Sequence, residues 1–115
     1  MIYTKKQAEI ANQMVEVLDS KFFKSLSEPV RVEILRYLLL HGRTDIGTIA
    51  QDLPQDRSVI SRHLNLMYEV GILNCEKESR HMYYTINASK FLDRFTNITD
   101  LVGKCIKECG PQCCK

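Results

Sequence analysis

The stretch Asp56-Arg57-Ser58-Val59-Ile60-Ser61-Arg62-His63-Leu64-Asn65-Leu66-Met67-Tyr68-Glu69-Val70-Gly71 decides how the rest of the chain is read. It reads as one amphipathic helix that Asp56 can cap and Gly71 can end. At about 100° per residue, Ile60, Leu64 and Met67 form an apolar stripe, and Ser58, Ser61, Arg62 and Asn65 form a polar one on the opposite side. The polar stripe offers short hydrogen-bonding side chains and a guanidinium, with no carboxylate among those four. Such a surface suits phosphates and base edges in a DNA major groove. The bland alternative is a solvated face, although those more often mix Glu with Lys.

The residues beyond Gly71 favour a DNA-facing helix. Ile72 to Glu76 and Met82 to Ile86 carry β-branched and aromatic residues, separated by the polar Lys77-Glu78-Ser79-Arg80-His81, which suits a hairpin tip. A helix followed at once by such a hairpin is the order of a winged helix-turn-helix. Ser58-x-x-Ser61-x-His63-Leu64, Val70-Gly71-Ile72-Leu73 and Arg80-x-x-Tyr83-Tyr84, with Leu26-Ser27-Glu28-Pro29-Val30-Arg31-Val32-Glu33-Ile34-Leu35 upstream, resemble the winged-helix repressors of the ArsR/SmtB family. Together these matches run from about Phe22 to Ile86. Ser79 departs from the pattern, standing where many relatives place Gly before the Arg, and this leaves the turn type open.

The flanking segments supply the remaining helices. From Lys5 to Asp19, Ala11, Val15 and Leu18 recur at helical spacing with Ile10, Met14 and Val17 beside them, a stripe wide enough to pack on the last helix and on a second subunit. Phe22 to Leu26 forms a short helical link, and Ser27-Glu28-Pro29 starts the next helix, where a first-turn proline loses no intrahelical bond. Ile34, Leu35 and Leu38 are core, and His41-Gly42 ends that helix. Thr44 or Asp45 caps a short helix whose Ile46, Ile49, Ala50 and Leu53 face inward, and Pro54 stops it. After the hairpin, Asn87 can cap a helix from Ala88. There Phe91, Phe95, Ile98, Val102, Cys105 and Cys109 fall at alternating steps of four and three, a heptad-type seam.

The fold expected is therefore mainly α with a small β-hairpin: a single winged helix-turn-helix domain over 1–115, dimeric through its N- and C-terminal helices. The helix-turn-helix occupies about 45–71 and the wing 72–87. Dimerisation helices span 5–19 and 88–109, and a cysteine tail follows at 110–115. A chain of 115 residues with 44% hydrophobic and 26% charged residues has the composition of an ordinary globular domain. No apolar run reaches the roughly 18 residues of a membrane span, and the amino terminus lacks a signal-peptide core, so a cytoplasmic location and no membrane partner are expected. A formal net charge of +2 is only a weak pointer to nucleic acid. DNA affinity must then come from where the charges sit, with a dimer doubling the phosphate contacts. The residues expected at double-stranded DNA are Arg57, Ser58, Ser61, Arg62, His63, Asn65, Lys77 and Arg80. For His63, at the border of the apolar stripe, helix packing competes evenly with a phosphate contact. Of Tyr83 and Tyr84, which alternate across the hairpin, one is expected in the core and one near DNA.

Five cysteines without a secretory signal argue against a disulfide framework. Cys75 reads as strand core, and His41 and His81 as solvated. Cys105, Cys109, Cys113 and Cys114 crowd the final segment. Cys105 and Cys109, four apart on a helix, project side by side. Gly110-Pro111 can end that helix and let the tail return with Cys113 or Cys114, giving a three-sulfur site with one of the adjacent pair spare. Three thiolates suit trivalent arsenic or antimony, and cadmium or lead can be held the same way. Zinc, also possible, normally wants a fourth ligand. Against this stands the reading of Cys105 and Cys109 as small hydrophobes in a seam.

The resemblance to ArsR/SmtB repressors strengthens the ligand reading, since it implies sensing of metals or metalloids at sites whose position differs among members. The cysteine pair that many arsenic sensors carry on the first helix of the helix-turn-helix is missing, replaced by Thr44-Asp45-Ile46-Gly47-Thr48. The aspartate and histidine pattern of zinc sensors on the last helix is also missing. The expectation is a DNA-binding repressor that leaves its operator when a soft ion binds the terminal cysteines. The alternative is a thiol redox sensor of the same fold, in which Cys105 or Cys109 pairs oxidatively with Cys113 or Cys114. No convincing acid, base and nucleophile set appears, so an enzyme is not expected.

Overall fold

The structure, a computed structural model, describes residues 2–109. Six helices and three short strands follow in the order α1 (Lys5–Leu18), α2 (Lys21–Ser25), α3 (Pro29–His41), β1 (Thr44–Asp45), α4 (Ile46–Asp52), α5 (Arg57–Glu69), β2 (Leu73–Glu78), β3 (His81–Ile86) and α6 (Ala88–Cys109). Local chemistry sets most of the helix ends. Thr4 and Gln7 form a reciprocal capping box at α1, the Thr4 hydroxyl accepting from the Gln7 N–H and the Gln7 carbonyl from the Thr4 N–H. The Glu28 carboxylate accepts from the Arg31 N–H ahead of Pro29. The Asn87 side chain accepts from the Lys90 N–H to open α6. Asp56 occupies the cap position of α5 but makes no side-chain capping bond, so that helix starts on backbone geometry alone.

The α5 apolar stripe is the centre of the core. Ile60, Leu64 and Met67 are fully buried against Ile34, Ile49 and Ile72, and Phe22, Leu38, Leu73 and Tyr84 close the cluster. Truncating any of the three α5 residues to alanine removes packing worth about 2–5 kcal/mol. Gly71, at φ 88°, turns the chain from α5 into the wing, a conformation in which glycine carries no side-chain penalty.

The wing is wider and tighter than expected. β1 joins it, so the sheet has three antiparallel strands in the order β1-β3-β2, with Thr44 opposite Tyr84. β2 and β3 pair out to Glu78 opposite His81, leaving only Ser79 and Arg80 as the turn in place of a five-residue tip. Ser79 lies at φ 58° and Arg80 is not left-handed. Positive φ at the first central residue alone is the pattern of a type II′ turn, one of the two whose twist matches the strands they join. Lys77 and His81 are therefore strand residues.

α1 and α6 run antiparallel beside one another. Ile10 and Leu101 are buried between them, and the Gln7 side-chain amide donates to the Glu108 carbonyl at 2.8 Å. Phe91 and Phe95 anchor the start of α6 on Phe22 and Phe23, with ring centroids 5.2 and 5.5 Å apart. The single seam expected on α6 splits into two faces. Phe91, Ile98 and Cys105 are half-buried and Leu101 is buried, whereas Leu92, Phe95, Val102 and Ile106 are exposed. On α1, Ala11, Val15 and Leu18 are likewise exposed. Both helices thus leave an apolar face uncovered.

Candidate nucleic-acid interface and cysteine face

Arg57, Ser58, Arg62 and Asn65 are exposed along the side of α5 that the core leaves free, with Ser61 and His63 half-buried beside them. Neither Arg57 nor Arg62 is ion-paired among the described residues. Asn65 is already engaged, its amide donating to the Glu69 carboxylate at 3.2 Å, so this face does carry an acidic group one turn further on. His63 is held from behind by α3, with Arg31 Nε donating to its Nδ1 at 3.2 Å. The side chain thus packs on α3 while staying partly exposed.

In the wing, strand alternation separates the charges. Glu76 and Glu78 share one face of β2, and Arg43, in the connection from α3 to β1, binds both carboxylates while its guanidinium lies 3.8 Å from the centre of the Tyr83 ring. Arg43 thereby offsets part of the charge of two carboxylates that would oppose a polyanion. Lys77, on the other face of β2, and Arg80, in the turn, stay exposed without an acidic partner among the described residues. Tyr84 is the core member of the tyrosine pair, while Tyr83 lies under Arg43. Cys75 sits half-buried opposite Tyr84, whose phenol is pushed up to about 12 by burial and then by its hydrogen bond with the Cys75 thiol.

Where the helix-turn-helix meets the wing, Asp45, Gly47, Thr48, Gln55, Arg57 and His81 line a cleft of roughly 660 Å³. The Thr48 hydroxyl donates to the Asp45 carboxylate and, with smaller help from backbone N–H groups and from His81 at 3.7 Å, holds it below the usual carboxylate range against the opposing effect of burial. On the other side of α4, the Tyr37 hydroxyl donates to Asp52 at 2.6 Å, a bond that raises the tyrosine above its ordinary value and ties α3 to α4. His41 is exposed, as expected, and its ring lies against that of Tyr37, tilted by 35° with centroids 4.3 Å apart.

Cys105 and Cys109 occupy successive turns at the end of α6, and both are half-buried. Cys109 lines a cleft of about 620 Å³ with Ile2, Tyr3, Gln7, Ala8, Ala11 and Asn12. The structure thus places one candidate thiol against the start of α1, a neighbour that spacing along α6 could not reveal. Cys113 and Cys114, and the Gly110-Pro111 stop, lie outside the described residues. Among the described residues no three His, Cys, Asp or Glu side chains converge as a ready metal site. The two α6 thiols alone do not complete a three-sulfur set.

The profile of the family described as bacterial regulatory protein, arsR family, matches residues 28–74. An uncharacterized HTH-type transcriptional regulator of Methanocaldococcus jannaschii is 31% identical over 84 residues, covering 72% of this chain and 89% of the relative. A cadmium resistance transcriptional regulatory protein CadC homolog of Staphylococcus aureus is 32% identical over 68 residues, 59% of this chain and 56% of the relative. Among solved structures, a possible transcriptional regulator for arsenical resistance superposes with a TM-score of 0.59 at 27% identity, covering 70% of this chain and 81% of that one. No described helix is long and apolar enough to cross a membrane.

Proposed function

Because the chain belongs to the ArsR family of winged-helix transcriptional regulators, we propose that it is a homodimeric cytoplasmic repressor released from double-stranded operator DNA by trivalent arsenic or antimony. Cadmium, lead or zinc are alternative inducers. DNA binding and transcription regulation are properties of the family, and the chain is a regulator and not an enzyme. The proposal adds the trigger and the residues.

In this reading the whole chain is one functional unit, with residues 45–71 as the helix-turn-helix and 72–87 as the wing. Arg57, Ser58, Ser61, Arg62, His63 and Asn65 meet the major groove, and Lys77 and Arg80 reach the flanking backbone from the wing. The exposed apolar faces of α1 and α6 pair with a second copy and set the distance between the two reading helices.

The observation that carries the trigger is the position of Cys105 and Cys109. They stand one turn apart on the helix that also presents the apolar pairing face, and Cys109 opens onto α1. Two half-buried thiols suit a soft ion, and Cys113 or Cys114 supplies the third sulfur under this proposal. The relatives named for cadmium and arsenical resistance support a metal or metalloid inducer. The α6 end is tied to α1 through Gln7 and through Lys6, whose ammonium lies 3.1 Å from the Glu108 carboxylate. Ordering the last turn of α6 therefore bears directly on the elements that space the reading heads.

A switch of this kind requires tighter ion binding to the DNA-free dimer, and a typical coupling of about 1–3 kcal/mol weakens DNA binding about 5–150-fold. Titrating arsenite into the complex with a duplex selected from a random pool should show a loss in that range. Unchanged DNA affinity at saturating arsenite, antimonite and cadmium would remove the sensor role.

A further inference from the structure

The polar side of α5 continues onto α3. Arg31, in the first turn of α3, donates from Nε to His63 Nδ1 at 3.2 Å and from Nη1 to the Ser25 carbonyl at 3.3 Å, so its guanidinium is fixed at two points. An arginine has donors only, so His63 Nδ1 must offer a lone pair, and the proton of the neutral ring sits on Nε2. Arg31, Arg62, His63 and Leu66 surround a hollow of about 270 Å³. Neither guanidinium has a carboxylate within ion-pair distance among the described residues. Glu28, the acidic residue nearest Arg31 in sequence, receives the Arg31 backbone N–H at 3.1 Å. The polar side chains lining the hollow are thus those of Arg31, Arg62 and His63, with no carboxylate among them. Base edges present donors as well as acceptors, whereas an all-donor cationic seat matches a tetrahedral oxyanion.

We propose that this hollow seats a backbone phosphate of the bound duplex, with Arg31 and Arg62 as its charge partners and His63 donating through Nε2. The proposal rests on α5 being the DNA-facing helix. It extends the interface to α3, outside the helix-turn-helix proper, and makes Arg31 a positioning residue for His63 as well as a phosphate ligand. Because the guanidinium is already held by His63 and Ser25, little side-chain freedom remains to be lost on binding.

The test compares the full chain with Arg31→Gln on a selected duplex and a scrambled one across a salt series, alongside long-range proton–nitrogen spectra of His63. Removing one of the two cations on that phosphate in each subunit should make the slope of log K against log[salt] shallower, by at most about 1.8 per dimer, on both duplexes alike. The spectra should show the Nε2–H tautomer in the wild type and mixed tautomers in the variant. An unchanged slope with a lowered melting temperature would make Arg31 a packing residue only and overturn the proposal. Should Arg31→Gln fail to fold, Arg31→Lys keeps the charge without the fork: a retained slope with a changed His63 spectrum is expected, and an unchanged spectrum overturns the hold on the tautomer. Inorganic phosphate that shifts the His63 signals while the Arg31→Gln slope stays at the wild-type value would mark a free-anion site, again overturning it. A wild-type protein that binds neither duplex defeats the DNA-facing reading of α5 itself, a different outcome from normal binding that ignores Arg31.

Discussion

Removing Arg57, Lys77 and Arg80 one at a time should flatten the salt dependence of DNA binding in equal steps. Arg57, Arg62, Lys77 and Arg80 are exposed and lack carboxylate partners among the described residues, while Arg43 is taken up by Glu76 and Glu78. With four such cations in each subunit of a dimer, about eight phosphates lose their counterions, and the slope of log K against log[salt] should be about −7. Raising salt from 50 to 200 mM should then weaken binding roughly ten-thousand-fold. Arg57→Ala or Lys77→Ala, each removing two contacts per dimer, should bring the slope to about −5. Fluorescence anisotropy on a labelled duplex, repeated at five or six salt concentrations, reads both quantities. A wild-type slope shallower than about −3, or single variants that leave it untouched, would mean that these side chains do not meet the backbone and that the assigned face is wrong.

Replacing both Cys105 and Cys109 by Ser should abolish arsenite-induced release while DNA affinity stays within about twofold of wild type, a difference that equals well under 1 kcal/mol; a variant still released by arsenite would place the trigger elsewhere. Val15→Glu or Ile106→Glu sets a carboxylate on the exposed apolar faces of α1 and α6 and should give a folded monomer by analytical ultracentrifugation, because an unpaired charge buried in an interface is strongly unfavourable; a persisting dimer would put the pairing surface on another face. Ser79→Gly should raise stability in urea by about 0.5 kcal/mol, since a left-handed non-glycine residue costs about 1–2 kcal/mol and glycine returns part of that through its freer unfolded chain. Lower stability of that variant would show that the serine is favoured in the turn. Tyr84 holds its proton more tightly folded than unfolded, so its contribution is complete below pH 10 and is lost as pH rises through about 12. Tyr84→Phe should flatten the fall in stability over that alkaline window, and parallel curves for the two proteins would refute the assignment.

The helices were legible because their signals are local. Ile60, Leu64 and Met67 repeat at helical spacing, Pro29 and Gly42 mark the ends of α3, and the order of helix then paired strands identifies the wing. What stayed hidden depends on residues distant in sequence. Arg31 reaches His63 across 32 positions and Arg43 reaches Glu78 across 35, and no periodicity in the intervening chain encodes either contact. β1 is two residues long and exists only because β3 offers it a ladder. The division of the α6 seam was hidden for a related reason: both of its faces are apolar, so alternating steps of four and three can be drawn through residues of either. Only contact with α1 and with Phe22 and Phe23 shows which face belongs to the subunit's own core. At the cysteine end, the spacing of Cys105 and Cys109 was readable, but the approach of Ile2 and Tyr3 to Cys109 was not.

That approach has a practical consequence for how the protein is prepared. A purification tag at the amino-terminal end is joined close in sequence to Ile2 and Tyr3, which line the cleft that Cys109 shares. A polyhistidine tag at that end would bring borderline-soft imidazole donors close to the thiols and compete for the same ions. Stoichiometries measured on such a fusion would mix the two donor sets, so ion titrations call for protein from which the tag has been cleaved.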